Sequence, residues 1–150
     1  MARNQITIDG TPKDVFDVLR DGWTYADWVV GTKHVREVDN GFPAVGTKFH
    51  HKVGVGPLQL DDHTEVLEYR SDERLVLKAR TRPGGTAKVT MEAYPVTADR
   101  VRVIMNERAG DPVSRAFYNP VVDRLMKARN TEALRRFGEL VAKRRGARVA

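Results

Sequence analysis

The sequence predicts an α+β fold: a curved antiparallel sheet of about seven strands against one long C-terminal helix, with two short helices after the first strand. Three observations predict it. From His34 to Ala109 apolar residues recur with a period of two, broken by compact turn signals. After Pro120 the period becomes helical, and ahead of both lies a short alternating segment followed by a helix-start signature.

Each element has its own justification. "NQITID" alternates Ile6 and Ile8 with polar neighbours, as a half-buried strand does. In "GTPKDVFDVLRDG", Thr11 suits the N-cap, Pro12 the first helical position, and Asp14 the first turn, where a carboxylate meets the positive end of the helix dipole. Val15, Phe16 and Leu19 form the apolar stripe, and Gly22 stops the helix. "WTYADWVV" predicts a second short helix with Trp23, Trp28 and Val29 turned inward. Strands follow at "KHVREVD", "TKFHHKV", "LQLDDHTEVLEY", "ERLVLKART", "TAKVTMEAYPV" and "RVRVIMNERA". Their links ("DNGFPAVG", "GVGP", "RSD", "RPGG", "TAD") are turn chemistry and short, which argues a meander. The glycines of "GVGP" precede a strand rather than a helix, so they read as a hairpin turn and not a phosphate loop.

After "GDPVSRAFYNP", Pro120 can occupy a first-turn position, and a helix is expected from Val121 to about Lys143, roughly six turns. Val122, Met126, Ala133, Phe137 and Leu140 fall on one stripe, widened by Leu134 and Val141. Arg129 and Asn130 lie inside that stripe, where a helix that only packed on a core would carry Leu or Ala. Residues 145–150 lose the pattern and read as a basic disordered tail, leaving a single domain over 1–144.

At 150 residues the chain is long enough for one domain with a sizeable core. It has no cysteine, which excludes disulfides and thiolate chemistry. "MARNQITIDG" lacks the apolar core of a secretion signal, and no run approaches a membrane span, so a cytoplasmic protein without membrane insertion is expected. Lys and Arg number 26 against 20 acids; residues 1–120 hold 17 of each sign, and residues 121–150 hold nine basic against three acidic. A basic segment can serve nucleic acid or an anionic surface, but a solvated helix face accounts for this one, and nucleic acid is not the expected partner.

Taking the apolar row of each strand as inward gives Phe49, His51 and Val53; Leu58, Leu60, Asp62, Thr64 and Val66; Leu75, Leu77, Ala79 and Thr81; Ala87, Val89, Met91 and Ala93; and Val101, Val103, Met105 and Glu107. The opposite rows, with Lys48, Lys78, Arg80, Lys88, Arg102 and Arg108, form a solvated face. His51, Asp62, Thr64, Thr81 and Glu107 are therefore polar groups embedded in an apolar wall. A bulge could turn any one of them outward; five on different strands point instead to a concavity with a few convergent polar groups, as in a small-molecule pocket.

The order of elements, together with "ITIDGTPKDVFDVLRDGWTYADWVVG", "FPAVGTKFHH", "GPLQLDDHTEVLEY", "LVLKARTRPGG", "RVRVIMNERAG" and the "RNTEALRRF" helix, resembles the START-related, polyketide cyclase/dehydrase-like (SRPBCC) superfamily over about residues 3 to 143. The resemblance implies the helix-grip fold, with a deep cavity between sheet and helix for a lipid, polyketide or other hydrophobic ligand. It implies no single activity, because members range from carriers to cyclases to protein-binding regulators, and no catalytic motif carries over residue by residue.

The expected function is binding of a hydrophobic small molecule, by sequestration or transport, with His51, Asp62, Thr64, Glu107 and Asn130 orienting its polar end. Trp28, Phe49, Met91, Met105 and Tyr118 are candidates for the cavity wall or mouth. The runner-up is a cyclase or dehydratase using His51 with Asp62 as general base, and Glu107 as an acid whose protonated form an apolar surround would favour. Against it stands a satisfied polar network, or a charge pair with Arg129 reaching in from the helix. A third alternative is a regulator acting on protein or nucleic acid through the basic terminal helix. His50 and His63 read as outward, no tight ligand spacing supports a metal, and no cofactor is expected.

Overall fold

Short links between strands of period two make each strand pair with its sequence neighbour, and the computed structural model, which describes residues 2–80 and 85–149, has that arrangement. Strands β1 (Ala2–Asp9), β2 (Thr32–Val38), β3 (Lys48–Val55), β4 (Leu58–Arg70), β5 (Arg74–Arg80), β6 (Thr86–Thr97) and β7 (Arg100–Ala109) form one antiparallel sheet in the order β1-β7-β6-β5-β4-β3-β2. The meander runs from β2 to β7, and β1 then covers the far edge of β7, with Ala2 opposite Glu107 and Ile8 opposite Val101. Thr81 and most of the "RPGG" turn lie outside the described residues.

Helix α1 (Pro12–Leu19) starts as its sequence dictates. The Asp14 backbone N–H donates to Thr11 Oγ1 at 3.3 Å and the Thr11 N–H donates to Asp14 Oδ2 at 2.9 Å, a reciprocal capping box. A 3-10 turn at Gly22–Thr24 then leads into α2 (Tyr25–Trp28). This turn corrects the expectation for Trp23, which is 56% exposed. Three residues per turn shift the phase, so Tyr25 rather than Trp23 shares the buried face with Trp28. The Tyr25 ring lies 4.4 Å from Phe49 and 5.0 Å from Trp28, and its hydroxyl donates to the Leu19 carbonyl at 3.0 Å.

Helix α3 (Pro112–Ala116) lies between β7 and the terminal helix, capped by Asp111, whose Oδ1 accepts the Ser114 N–H at 2.9 Å. Helix α4 spans Pro120–Val149, well beyond the expected end near Lys143, so the described part of 145–150 is helical rather than a disordered tail. Two long-range ion pairs explain the extension: Arg144 with Asp21 at 2.7 Å and Arg145 with Asp14 at 3.7 Å. Each ties the last turns to the α1–α2 segment.

Helix α4 crosses β1 closely. A Cβ on Gly138 would stand 3.2 Å from Ile8 and 3.3 Å from Ile6, so glycine is what lets the helix approach there. Phe137 stacks edge-on against Trp28 at 5.0 Å, and Ala133, Leu134 and Val141 complete the buried stripe. Polar staples fix the middle of the helix. Asn4 Nδ2 donates to the Lys127 carbonyl at 3.0 Å and to Thr131 Oγ1 at 2.9 Å. Glu107 on β7 accepts from Arg129 at 2.6 Å and from the buried Asn130 amide at 2.8 Å.

The two faces of the sheet depart in detail from the alternating pattern. Leu58 and Leu60, counted inward, are 71% and 42% exposed, because the β3–β4 turn carries the start of β4 away from the packed part of the sheet. On the opposite face Val76, Thr90 and Ile104 are buried. They run alongside the ion pairs that Arg74 makes with Glu68 and Glu92, whose long side chains shield apolar surface.

Two outcomes follow for stability. Glu107→Ala leaves the buried Asn130 amide without its acceptor and should destabilise by about 2–3 kcal/mol, whereas Glu107→Gln, which keeps an acceptor, should cost clearly less; urea unfolding of the three proteins measures both. Ending the chain after Lys143 removes the Arg144 and Arg145 pairs, and thermal unfolding should register a loss of about 1 kcal/mol or less, the scale of partly exposed ion pairs.

Candidate functional site

Alternation on β3 and β4 places Phe49 opposite Thr64 and His51 opposite Asp62, all on the inner face. The relative exposures of His51, Asp62, Thr64 and Glu107 are 6%, 5%, 5% and 4%, so every one is withdrawn from solvent. On β6 and β7 Met91 stands opposite Met105, one inward position from Glu107, and both methionines are buried. Asn130 reaches this row from α4, and Trp28 joins the same interior from α2 through its contacts with Tyr25 and Phe137. Nine of the ten predicted ligand-facing residues are thus buried in one interior between sheet and helices.

Tyr118 departs from that group. It is half-buried in an open cleft with Lys88, Arg108 and Arg115, at the end of the sheet where β7 gives way to α3. Its hydroxyl donates to Asp123 at 2.9 Å; burial, followed by that hydrogen bond, pushes its pKa up to about 12.

Hydrogen bonding selects partners that spacing does not. His51 Nε2 is bonded to Thr64 Oγ1 at 3.0 Å, and His51 Nδ1 is buried with no partner. Asp62, directly across the ladder, instead accepts the His63 backbone N–H at 2.8 Å and faces Arg80 at 3.5 Å. The expected His51–Asp62 pair is therefore a close juxtaposition without a hydrogen bond between the two. Glu107 is held in an ion pair with Arg129, not presented as an isolated acid in an apolar surround. His50 and His63 face the other side, where His50 bonds Asp39 at 3.0 Å. Among the described residues no group of three His, Cys, Asp or Glu side chains could hold a metal ion.

Two further polar atoms are buried without partners: Trp28 Nε1 and Asn4 Oδ1. Asn4 was missed, although the alternation of "ARNQITID" puts it on the inward row with Ile6 and Ile8. Arg80 was missed as a partner of Asp62 because the sheet's outer row is where it counts by period.

The chain matches, over residues 2–142, the model of the family described as polyketide cyclase / dehydrase and lipid transport. It belongs to that family. Solved structures share its fold at low identity. A conserved protein from Geobacillus kaustophilus is 15% identical, with 94% of each chain covered and a TM-score of 0.70. The Zhui aromatase/cyclase from Streptomyces sp. R1128 is 15% identical, with 99% of this chain and 94% of that one covered and a TM-score of 0.64. The di-domain ARO/CYC StfQ from the steffimycin biosynthetic pathway is 12% identical, with 96% of this chain and 51% of that one covered and a TM-score of 0.69. A search of curated proteins finds no match. No helix among the described residues is long and apolar enough to cross a membrane.

In this polyketide cyclase/dehydrase-family protein, burial holds the His51 imidazole below its ordinary value of 6.5, against the opposing pull of the Asp62 carboxylate. Burial, with Lys48 and Arg80, lowers His63 in the same direction. The folded protein then takes up protons less readily than the unfolded chain. The stability linked to these groups is complete above their unfolded value and declines as pH falls from about 6.5 toward the folded values. Melting temperature should accordingly drop on acidification below pH 6.5, and His51→Gln should flatten part of that slope, with His63→Gln removing a separate part. An unchanged slope in His51→Gln would contradict a buried neutral imidazole.

Proposed function

We propose that the interior between the sheet and α4 binds a hydrophobic small molecule that carries a hydrogen-bond acceptor, for sequestration or transport. The observation that supports this reading is the pair of buried, unpartnered ring nitrogens on the inner wall, Trp28 Nε1 and His51 Nδ1. An indole N–H can only donate, and leaving it buried and unsatisfied costs about 1–3 kcal/mol. A guest that offers an acceptor relieves that cost while Phe49, Met91 and Met105 supply apolar contact. Asp62, Glu107 and Asn130 are already engaged by protein partners, so their role is to hold the wall around the guest. Membership of a family whose description includes lipid transport is in keeping with a carrier.

A second reading, a cyclase or dehydratase using His51, is favoured by one observation. A neutral imidazole with an unpartnered ring nitrogen, Nε2 being tied to Thr64, is suited to accept a proton from a bound ketone's α-carbon. The aromatase/cyclase names of two structural neighbours agree with it. On this reading Asp62 acts on His51 through its charge rather than through a hydrogen bond.

Trp23 is exposed and Trp28 buried, so a Trp23→Phe protein makes Trp28 the sole tryptophan reporter of binding. Polycyclic ketones should change its fluorescence on titration, and the parent hydrocarbons should bind more weakly. Trp28→Phe, followed by displacement of an apolar dye, should weaken ketone binding by about tenfold, within the range for losing one buried hydrogen bond, and leave hydrocarbon binding unchanged. Equal losses for both ligand types would refute the acceptor requirement. For the second reading, His51→Gln should abolish conversion of a ketone substrate while its binding persists.

A further inference from the structure

Leu58, Leu60, Val113, Phe117, Val121 and Leu125 are exposed at one end of the molecule, while Trp23, Val45, Leu67, Tyr94 and Val96 are exposed elsewhere. Because every strand is antiparallel to its neighbours, the β3–β4 turn, the start of β6, the end of β7 and the start of α3 all lie at the same end of the sheet. There Val113 on α3, Phe117 at its C-cap, and Val121 and Leu125 on the first turns of α4 make an apolar ridge, with exposures of 53%, 58%, 66% and 65%. Leu58, at the start of β4, belongs to the same end.

Beside this ridge lies the open cleft of about 600 Å³ lined by Lys88, Arg108, Ala109, Gly110, Arg115 and Tyr118. Lys88 stands directly opposite Arg108 on β7 and opposite Lys78 on β5, three like charges abreast, with Glu65 of β4 beside Lys78 at the far end of the row. Such neighbours repel one another unless an anion sits among them. Three acids of this end have other partners: Asp111 bonds Thr86 and Ser114, Asp123 meets Tyr118 and Lys127, and Asp61 meets Lys52 and Arg36. Among the described residues Lys88, Arg108, Arg115 and Arg124 have no ion-pair partner, in contrast to Arg129, Arg135, Arg136, Arg144 and Arg145 along α4.

We infer that this end docks on the surface of an anionic phospholipid bilayer. The ridge of Val113, Phe117, Val121 and Leu125 enters the boundary between headgroups and acyl chains, and Lys88, Arg108 and Arg115 meet lipid phosphates. An apolar ridge flanked by unpaired cations has the chemistry of an interfacial element, with apolar burial and attraction to anionic lipid acting together. A two-fold pairing of this face with a second copy would instead bring one cationic patch against another. Docking depends on the surface alone, whether or not the interior holds a guest.

The test is flotation of the full chain with vesicles of phosphatidylcholine, or of phosphatidylcholine containing about a quarter phosphatidylglycerol, an amount that gives a negative surface. The protein should float with the anionic vesicles, be released by raised salt, and stay behind with phosphatidylcholine alone. Lys88→Gln, Arg108→Gln and Arg115→Gln should each weaken partition about fivefold, the worth of one cation near such a surface. Phe117→Ser with Leu125→Ser should weaken it independently of salt, circular dichroism verifying the fold of every variant. Inorganic phosphate should displace the protein no better than chloride at equal ionic strength; specific displacement by phosphate would make the cleft a free-phosphate site and overturn the proposal. Absence of flotation with anionic vesicles would overturn it too, as would flotation that survives both sets of variants. So would light scattering that reveals a dimer abolished by the Phe117→Ser, Leu125→Ser change.

Discussion

A carboxylate cannot be left alone inside a protein, and Glu107 is 4% exposed on the inner face of β7. Its two oxygens are met from α4 by Arg129 at 2.6 Å and Asn130 at 2.8 Å, so the helix has one rotation and one height at which that demand is satisfied. Asn4 on the neighbouring β1 makes the same kind of demand, reaching the Lys127 carbonyl and Thr131. These polar staples fix the N-terminal half of α4 over the sheet, while Gly138, Phe137 and Val141 pack its later turns against β1 and α2. The interior is thus framed by polar contacts at one end and close apolar packing at the other.

That framing gives the wall its uneven chemistry. Where α2 and β3 meet, aromatic contacts run from Trp28 through Tyr25 and Phe49 to His51, with ring separations of 5.0, 4.4 and 5.2 Å. This series begins and ends on rings that each carry one nitrogen without a protein partner, Trp28 Nε1 and His51 Nδ1. Elsewhere in the interior each buried charge is matched, Asp62 by Arg80 and a backbone N–H, Glu107 by α4. A polar wall satisfied almost everywhere is rigid. The exceptions are where a guest would be held on the proposed reading.

The terminal helix shows how the meaning of a charge depends on its neighbours. Counted along the chain, residues 121–150 carry the whole basic excess. In the fold, Arg135 and Arg136 pair with Glu132, while Arg144 and Arg145 reach across to Asp21 and Asp14. Much of that excess therefore serves to anchor the helix. Lys88, Arg108, Arg115 and Arg124, which line the docking end, come from β6, β7, α3 and the start of α4, four segments that no window of sequence would group.

The sequence by itself determined what repeats locally. Period two set the strands and put His51, Asp62, Thr64 and Glu107 inward; the "GTPKD" signature set the start of α1; and the intrusion of Arg129 and Asn130 into an apolar stripe announced polar contact across the interior. These are properties of one element at a time, governed by backbone periodicity and capping chemistry. Tertiary structure decided every matter of competition between partners. His51 bonds Thr64 and not the residue directly opposite it, because side chains choose among several neighbours of the ladder. Trp23 turns outward because a 3-10 turn resets the helical phase, and Leu58 and Leu60 lie exposed because their strand outruns its cover. Helix α4 continues past Lys143 because acids more than a hundred residues earlier in the chain receive Arg144 and Arg145. Such pairings join positions remote in sequence, and their energies exist only once the chain has closed on itself.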